Sequence, residues 1–223
     1  MDTLLNSVAS VVRRWMLAPA RMINSLSKGK VTPNHITLVS FLGHFLVLWS
    51  LFQNRPTLAA LFLAFFGIMD ALDGALSRIQ KSSSLQGMFF DAVSDRAKEI
   101  IVYAGLAIYI EQNGYYYTTD ILLNFTQPYL YLWLPLAVLG LSMLVSYIKA
   151  KGEMALSSSG KYDAQKLNRV FSDGFARYEV RMTIIILGLL TGRIIVALYV
   201  LLFLLVVTCL QRLNKVSKAL SDV

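Results

Sequence analysis

Between Asp70 and Asp95 a very apolar chain carries Asp70, Asp73, Gly74, Ser77, Arg78, Gly87, Asp91 and Asp95. The aspartates form two pairs, one spaced by three residues and one by four, so on helical flanks each pair projects from one face with Cβ atoms about 5–6 Å apart. Lys81, Ser82, Ser83, Ser84, Leu85 and Gln86 read as the turn of a helical hairpin. At about 1.5 Å per residue, Asp73 and Asp91 then lie at similar depths beyond that turn, with Asp70 and Asp95 one turn deeper. Four carboxylates are expected to converge. In a low-dielectric setting they oppose one another's ionisation, and desolvation adds to the cost, so cations must accompany them. An all-oxygen ligand set favours Mg²⁺ or Mn²⁺ over zinc, which recruits His or Cys. Gly74 leaves room for a ligand beside Asp73, and Arg78 supplies a fixed positive charge suited to phosphate.

The spacing Asp-x2-Asp-Gly-x2-Ala-Arg-x8-Gly-x3-Asp-x3-Asp resembles the signature of the CDP-alcohol phosphotransferase family. The chain matches it at every position but one, Ser77 standing where the family usually has Ala. The resemblance implies transfer of a phosphatidyl group from a CDP-linked lipid to an acceptor alcohol, with release of CMP. Such chemistry needs charge neutralised at the bridging and leaving oxygens, which two divalent ions about 4 Å apart can do. By matched position, Asp70, Asp73, Asp91 and Asp95 resemble the metal ligands, and Asp95 also the base that takes the acceptor's proton. The nucleotide is expected against Asp73, Gly74, Ser77 and Arg78.

The elements that must position these residues follow from composition. The chain has 223 residues, 56% hydrophobic and 15% charged, with a mean hydropathy of +0.57. Soluble proteins carry about 25% charged residues, so an all-α polytopic membrane protein is expected. It reads as a single membrane domain over residues 1–223. Cys209, the only cysteine, lies in an apolar run and reads as a packing residue. No cleavable signal peptide is expected. Leu4, Leu5, Val8, Val11, Val12, Trp15 and Met16 recur at helical spacing opposite Arg13 and Arg14, which predicts an interfacial amphipathic helix within a juxtamembrane segment, residues 1–30, closed by Pro19 and the polar run after it.

Thr32 reads as an N-cap with Pro33 at the first helical position, launching a first span through Gln53. Asn34 and Thr37 serve either as helix caps or, by resemblance to the family's segment there, as nucleotide contacts. A second span runs from about Thr57 into the motif and a third from near Gly87 to about Ile110. A tyrosine-rich loop, Tyr115 to Asp120, suits a membrane interface. Further spans are expected at Pro128 to Tyr147, Val180 to Leu190 and Ile194 to Leu210, giving six. His35 and His44 read as packing or interface residues.

Under six spans, nearly all of the 21 Lys and Arg fall on one side, leaving only Arg55 and Arg193 on the other. By the positive-inside rule the motif and both termini face the cytoplasm. The net charge of +8 is accounted for by topology and anionic headgroups, so no nucleic-acid partner is expected.

For the acceptor, Ser146-Tyr147-Ile148-Lys149-Ala150-Lys151-Gly152-Glu153 resembles a Ser-Tyr-Ile-Lys-Ala-Arg-Ala-Glu stretch of phosphatidylinositol-phosphate synthases, with Lys151 in place of Arg. Arg177 with Arg181 resembles their basic pair, spaced by four rather than three, and Gln211-Arg212-Leu213 also matches. The resemblance implies that Lys149, Arg177, Arg181 and Arg212 hold the phosphate of inositol 1-phosphate, with CDP-diacylglycerol as donor and a homodimer as the assembly. Glycerol 3-phosphate is the alternative acceptor. Cation transport is the alternative of another class, since intramembrane carboxylates also line ion paths.

Overall fold

The computed structural model describes residues 15–82, 84–113, 131–158 and 176–221. These form seven helices and no strand: α1 (Leu17–Leu26), α2 (Pro33–Phe52), α3 (Pro56–Gln80), α4 (Leu85–Gln112), α5 (Trp133–Ser158), α6 (Tyr178–Leu190) and α7 (Ile194–Ser221). The chain divides into two units, Met1–Leu106 and Ala107–Val223, with α4 running across the division.

In the first unit α2 starts as its sequence dictates. Pro33 occupies the first helical position, where no N–H is needed, and the backbone N–H of Thr32 donates to His35 Nδ1 at 3.3 Å. The helix buries polar Thr37, Ser40, His44 and Ser50 together with Ile36, Val47 and Leu51, while Leu38, Leu42, Phe45, Trp49 and Phe52 are exposed. That arrangement suits a helix with lipid on its outer side. α3 packs along α2, and Gly43 makes the approach possible, because a Cβ there would clash with the edge of the Phe66 ring. α4 meets α2 at Gly105, where a Cβ would stand 2.8 Å from Leu51 Cδ1. α1 packs on α3 through a small cluster of Ala20, Ile36, Ala75 and Leu76.

The link from α3 to α4 is short. Lys81 takes a left-handed conformation (φ 50°) and caps α3, Ser82 N donates to Ser77 O at 3.1 Å, and α4 begins at Leu85. The expected helical hairpin is therefore present, and it sets Asp70 and Asp73 on α3 and Asp91 and Asp95 on α4.

In the second unit α7 packs against both α5 and α6. The α6–α7 turn uses Gly192 at φ 68°, and Gly188 lets α6 lie close to α7, since a Cβ there would approach the Ala197 Cβ to 2.6 Å.

Pro19 sits in the first turn of α1, where its missing N–H would have had no intrahelical acceptor, and the helix it was expected to close lies outside the described residues. Among the described residues four helices, α2, α3, α5 and α7, are long and apolar enough to cross a membrane. α4 carries Asp91, Asp95, Arg96, Lys98, Glu99 and Glu111, and α6 has 13 residues, about 20 Å of rise, so these two are not among the four. The amphipathic stretch before Trp15 and the loop from Tyr115 to Asp120 lie outside the described residues.

Candidate active site

Asp73 is buried, and its Oδ2 accepts a hydrogen bond from Thr37 Oγ1 on α2 at 2.7 Å. One turn deeper, Asp70 Oδ1 accepts from Ser40 Oγ at 2.8 Å and from Lys98 Nζ on α4 at 2.6 Å. Lys98 Nζ also donates to Asp95 Oδ1 at 3.3 Å, so a single ammonium ties α3 to α4. The four carboxylates share one electrostatic neighbourhood: Asp73 and Asp95 each feel Asp91 and Asp70, and Asp91 feels Asp70 and Lys98. The two faces expected from the spacing are thus brought together, with α2 as a third wall contributing hydroxyls.

Among the described residues no three acidic, His or Cys side chains close tightly enough to hold one ion as they stand. The donors nevertheless fit a hard divalent cation. All are carboxylate oxygens, and Asp70 Oδ2 is buried without a hydrogen-bond partner while its Oδ1 is held by Ser40 and Lys98. A buried carboxylate oxygen left bare is costly unless a cation meets it.

Around this cluster the nucleotide candidates are laid out on the α3 end. A Cβ on Gly74 would meet nothing within 4 Å, so the space beside Gly74 is open. Arg78 is exposed in the last turn of α3 and Ser77 is half-buried. A Cβ on Gly87 would lie 3.5 Å from Asn34 Oδ1, which puts Asn34 at the start of α4. Thr37 is not a cap. It sits a full turn into α2 and holds Asp73, with Pro33 O at a longer 3.2 Å. Gln80 Nε2 donates to Asn24 Oδ1 (2.9 Å) and Val31 O (2.8 Å), fastening the approach to α2 onto the end of α3.

The second unit holds the basic residues. Arg181 is buried and donates through Nη1 to Ala176 O at 2.8 Å, while Arg212 Nη1 donates to Val145 O at 2.8 Å and its Nε is buried without a hydrogen-bond partner. Arg212 lies within the fields of Arg181, Arg177 and Glu153. Arg177 occupies the N-cap position of α6 without a side-chain capping bond, and Lys149 is an exposed residue 3.8 Å from Glu153. Three guanidinium groups and a carboxylate are therefore grouped, with Lys149 joined to them through Glu153.

Sequence reasoning missed Ser40 and Lys98. Both had a signal: Ser40 follows Thr37 by three, and Lys98 follows Asp95 by three and Asp91 by seven, which are same-face spacings on a helix. His44 is buried, one turn after Ser40, with its Nδ1 2.7 Å from Ser40 O.

The sequence matches the family model for CDP-alcohol phosphatidyltransferase over residues 30–210. It is 26% identical over 200 residues to an archaetidylinositol phosphate synthase of Pyrococcus horikoshii, covering 90% of this chain and 91% of the relative. A phosphatidylinositol phosphate synthase of Cutibacterium acnes is 26% identical over 144 residues, 62% of each chain. In fold the chain is similar to the Mycobacterium tuberculosis phosphatidylinositol phosphate synthase with CDP-DAG bound, at TM-score 0.69 and 24% identity over 91% of this chain and 94% of that one. The same enzyme in complex with manganese and citrate gives TM-score 0.69, covering 90% of this chain and 88% of that one.

Proposed function

The chain belongs to the CDP-alcohol phosphatidyltransferase family, and on that premise we propose that it moves the phosphatidyl group of CDP-diacylglycerol onto inositol 1-phosphate. In this reading the inositol hydroxyl oxygen attacks the lipid-bearing phosphorus, a new P–O bond forms, and the bond to CMP breaks with its electron pair leaving on CMP. Asp95 takes the hydroxyl proton. Asp70, Asp73, Asp91 and Asp95 would hold two divalent ions, Mg²⁺ or Mn²⁺, which when bound supply charge neutralisation at the reacting phosphates. Asn34, Gly74, Ser77 and Arg78 bind the nucleotide, Gly74 by leaving space and Arg78 by its charge, and Thr37 acts on it through Asp73.

Lys149, Arg177, Arg181 and Arg212 take the acceptor's phosphate, where a guanidinium fork matches a phosphate monoester. Names of relatives that make inositol-phosphate lipids support this acceptor over glycerol 3-phosphate. Membership of the family sets aside cation transport. Six spans, a motif facing the cytoplasm and a homodimer complete the proposal, supported by the distribution of Lys and Arg along the sequence and by the family resemblance. The observation that carries the reading is the grouping of four motif aspartates on α3 and α4, Asp73 buried, Asp70 and Asp95 half-buried and Asp91 exposed, with open space at Gly74.

The test is an acceptor panel. Purified protein with CDP-diacylglycerol and Mg²⁺ or Mn²⁺ is given inositol 1-phosphate, glycerol 3-phosphate or serine in turn, and CMP and the lipid product are measured. Product with inositol 1-phosphate above all others is expected. Preferred turnover of glycerol 3-phosphate would replace the acceptor, and CMP release with serine alone would discard the phosphate-binding role of the basic residues.

A further inference from the structure

Lys98 is the feature of the site that neither the sequence motif nor the reaction uses. Its side chain is 0% exposed, and burying an ammonium is unfavourable unless fixed charges meet it. Here two do, from different helices: Asp70 on α3 at 2.6 Å and Asp95, one turn earlier on α4, at 3.3 Å. The contact with Asp70 uses only Oδ1, which Ser40 also reaches, and leaves Oδ2 bare. Lys98 therefore does two things at once. It fixes the orientation of a carboxylate whose other oxygen is offered to an ion, and it places one positive charge inside a cluster of four acids.

Resting on the reading that these aspartates hold divalent ions, we propose that Lys98 is a built-in counter-cation of the cage. It keeps α3 and α4 together while no divalent ion is bound, and by repulsion it sets how tightly divalent ions bind. The two effects follow from one charge. A cation already facing Asp70 and Asp95 relieves their mutual repulsion when the site has no ion, and opposes a divalent ion that arrives beside it. Lys98 is thus a positioning residue that acts through Asp70 and Asp95. Loss of its charge should weaken the metal-free protein and strengthen metal binding, a combination that simple loss of packing does not produce.

The test compares wild type with Lys98→Met and with Lys98→Gln, which is one atom shorter than lysine and keeps a hydrogen-bonding end without charge. Metal-free melting temperature and Mn²⁺ affinity, the latter by electron paramagnetic resonance of free Mn²⁺, are measured in detergent. Both variants should melt lower than wild type in chelator, gain more from added Mn²⁺, and bind Mn²⁺ about tenfold more tightly or better. A variant that folds only with Mn²⁺ present is the extreme form of the same result. Unchanged or weaker Mn²⁺ affinity in Lys98→Gln, or failure of both variants to fold even with Mn²⁺, overturns the proposal. Asp73→Asn separates it from the underlying reading. If wild type binds no Mn²⁺, or binds it as well after Asp73→Asn, the metal cage itself fails and the role of Lys98 with it. If wild type binds Mn²⁺, Asp73→Asn abolishes it and the Lys98 variants match wild type, only the counter-cation is wrong.

Discussion

Thr37→Val removes one oxygen from the site and almost nothing else. Thr37 and Asp73 are 3% and 7% exposed, and the hydroxyl donates to Asp73 Oδ2 at 2.7 Å. A hydrogen bond to a charged group is worth about 1.5–3 kcal/mol, and valine keeps the shape, so most of that is expected to be lost. The second contact of the hydroxyl, 3.2 Å from Pro33 O, is to a carbonyl inside its own helix and adds little. At about 2–4 °C per kcal/mol for a chain of this size, the metal-free melting temperature should fall by about 3–12 °C. Mn²⁺ should narrow the gap, because an ion can meet the oxygen that the hydroxyl abandons. The freed carboxylate also loses its orientation, so kcat/KM for CDP-diacylglycerol should drop by up to about a hundredfold, each decade corresponding to about 1.36 kcal/mol. Thermal unfolding in detergent with and without Mn²⁺, together with CMP release, reads both effects. A melting temperature within about 1 °C of wild type and kcat/KM within about twofold would refute the anchoring role. A raised donor KM at unchanged stability would mean that Thr37 touches the nucleotide directly.

Gly74→Leu should separate function from folding: the space beside Gly74 is open, so the melting temperature should barely move, while donor KM should rise at least about tenfold if that space receives the nucleotide. Arg181→Ala and Arg212→Ala should each raise the acceptor KM by about ten- to a hundredfold, from charged hydrogen bonds of about 1.5–3 kcal/mol, and leave donor KM alone. A shift in donor KM instead would move the basic residues to the nucleotide. A cysteine placed in the Tyr115 to Asp120 loop should react with an impermeant reagent from outside the cell, and one near Ser158 should not; the reverse pattern would overturn the charge-based orientation.

The hairpin of α3 and α4 was legible because helical spacing and a turn signal act locally: Asp70, Asp73, Asp91 and Asp95 needed only a rise per residue to be placed. Pairings between distant segments were not. Ser40 and Lys98 are ordinary residues until α2 and α4 are packed against α3, after which they meet the same oxygen of Asp70. Thr37 sat between two readings for the same reason, since a hydroxyl near a helix start can cap or contact a ligand, and only the depth of Asp73 on α3 gave it a buried partner.

The central claim is that the motif aspartates form one divalent-ion centre that transfers a phosphatidyl group. Its most direct test is CMP release from CDP-diacylglycerol and inositol 1-phosphate by wild type and Asp91→Asn, each in excess chelator and with Mn²⁺ restored. Wild type should be inactive in chelator and recover with Mn²⁺, and Asp91→Asn should remain slower than the recovered wild type by orders of magnitude with Mn²⁺ present while melting as a folded protein. Full turnover in chelator, or near-wild-type turnover by Asp91→Asn, would contradict the claim.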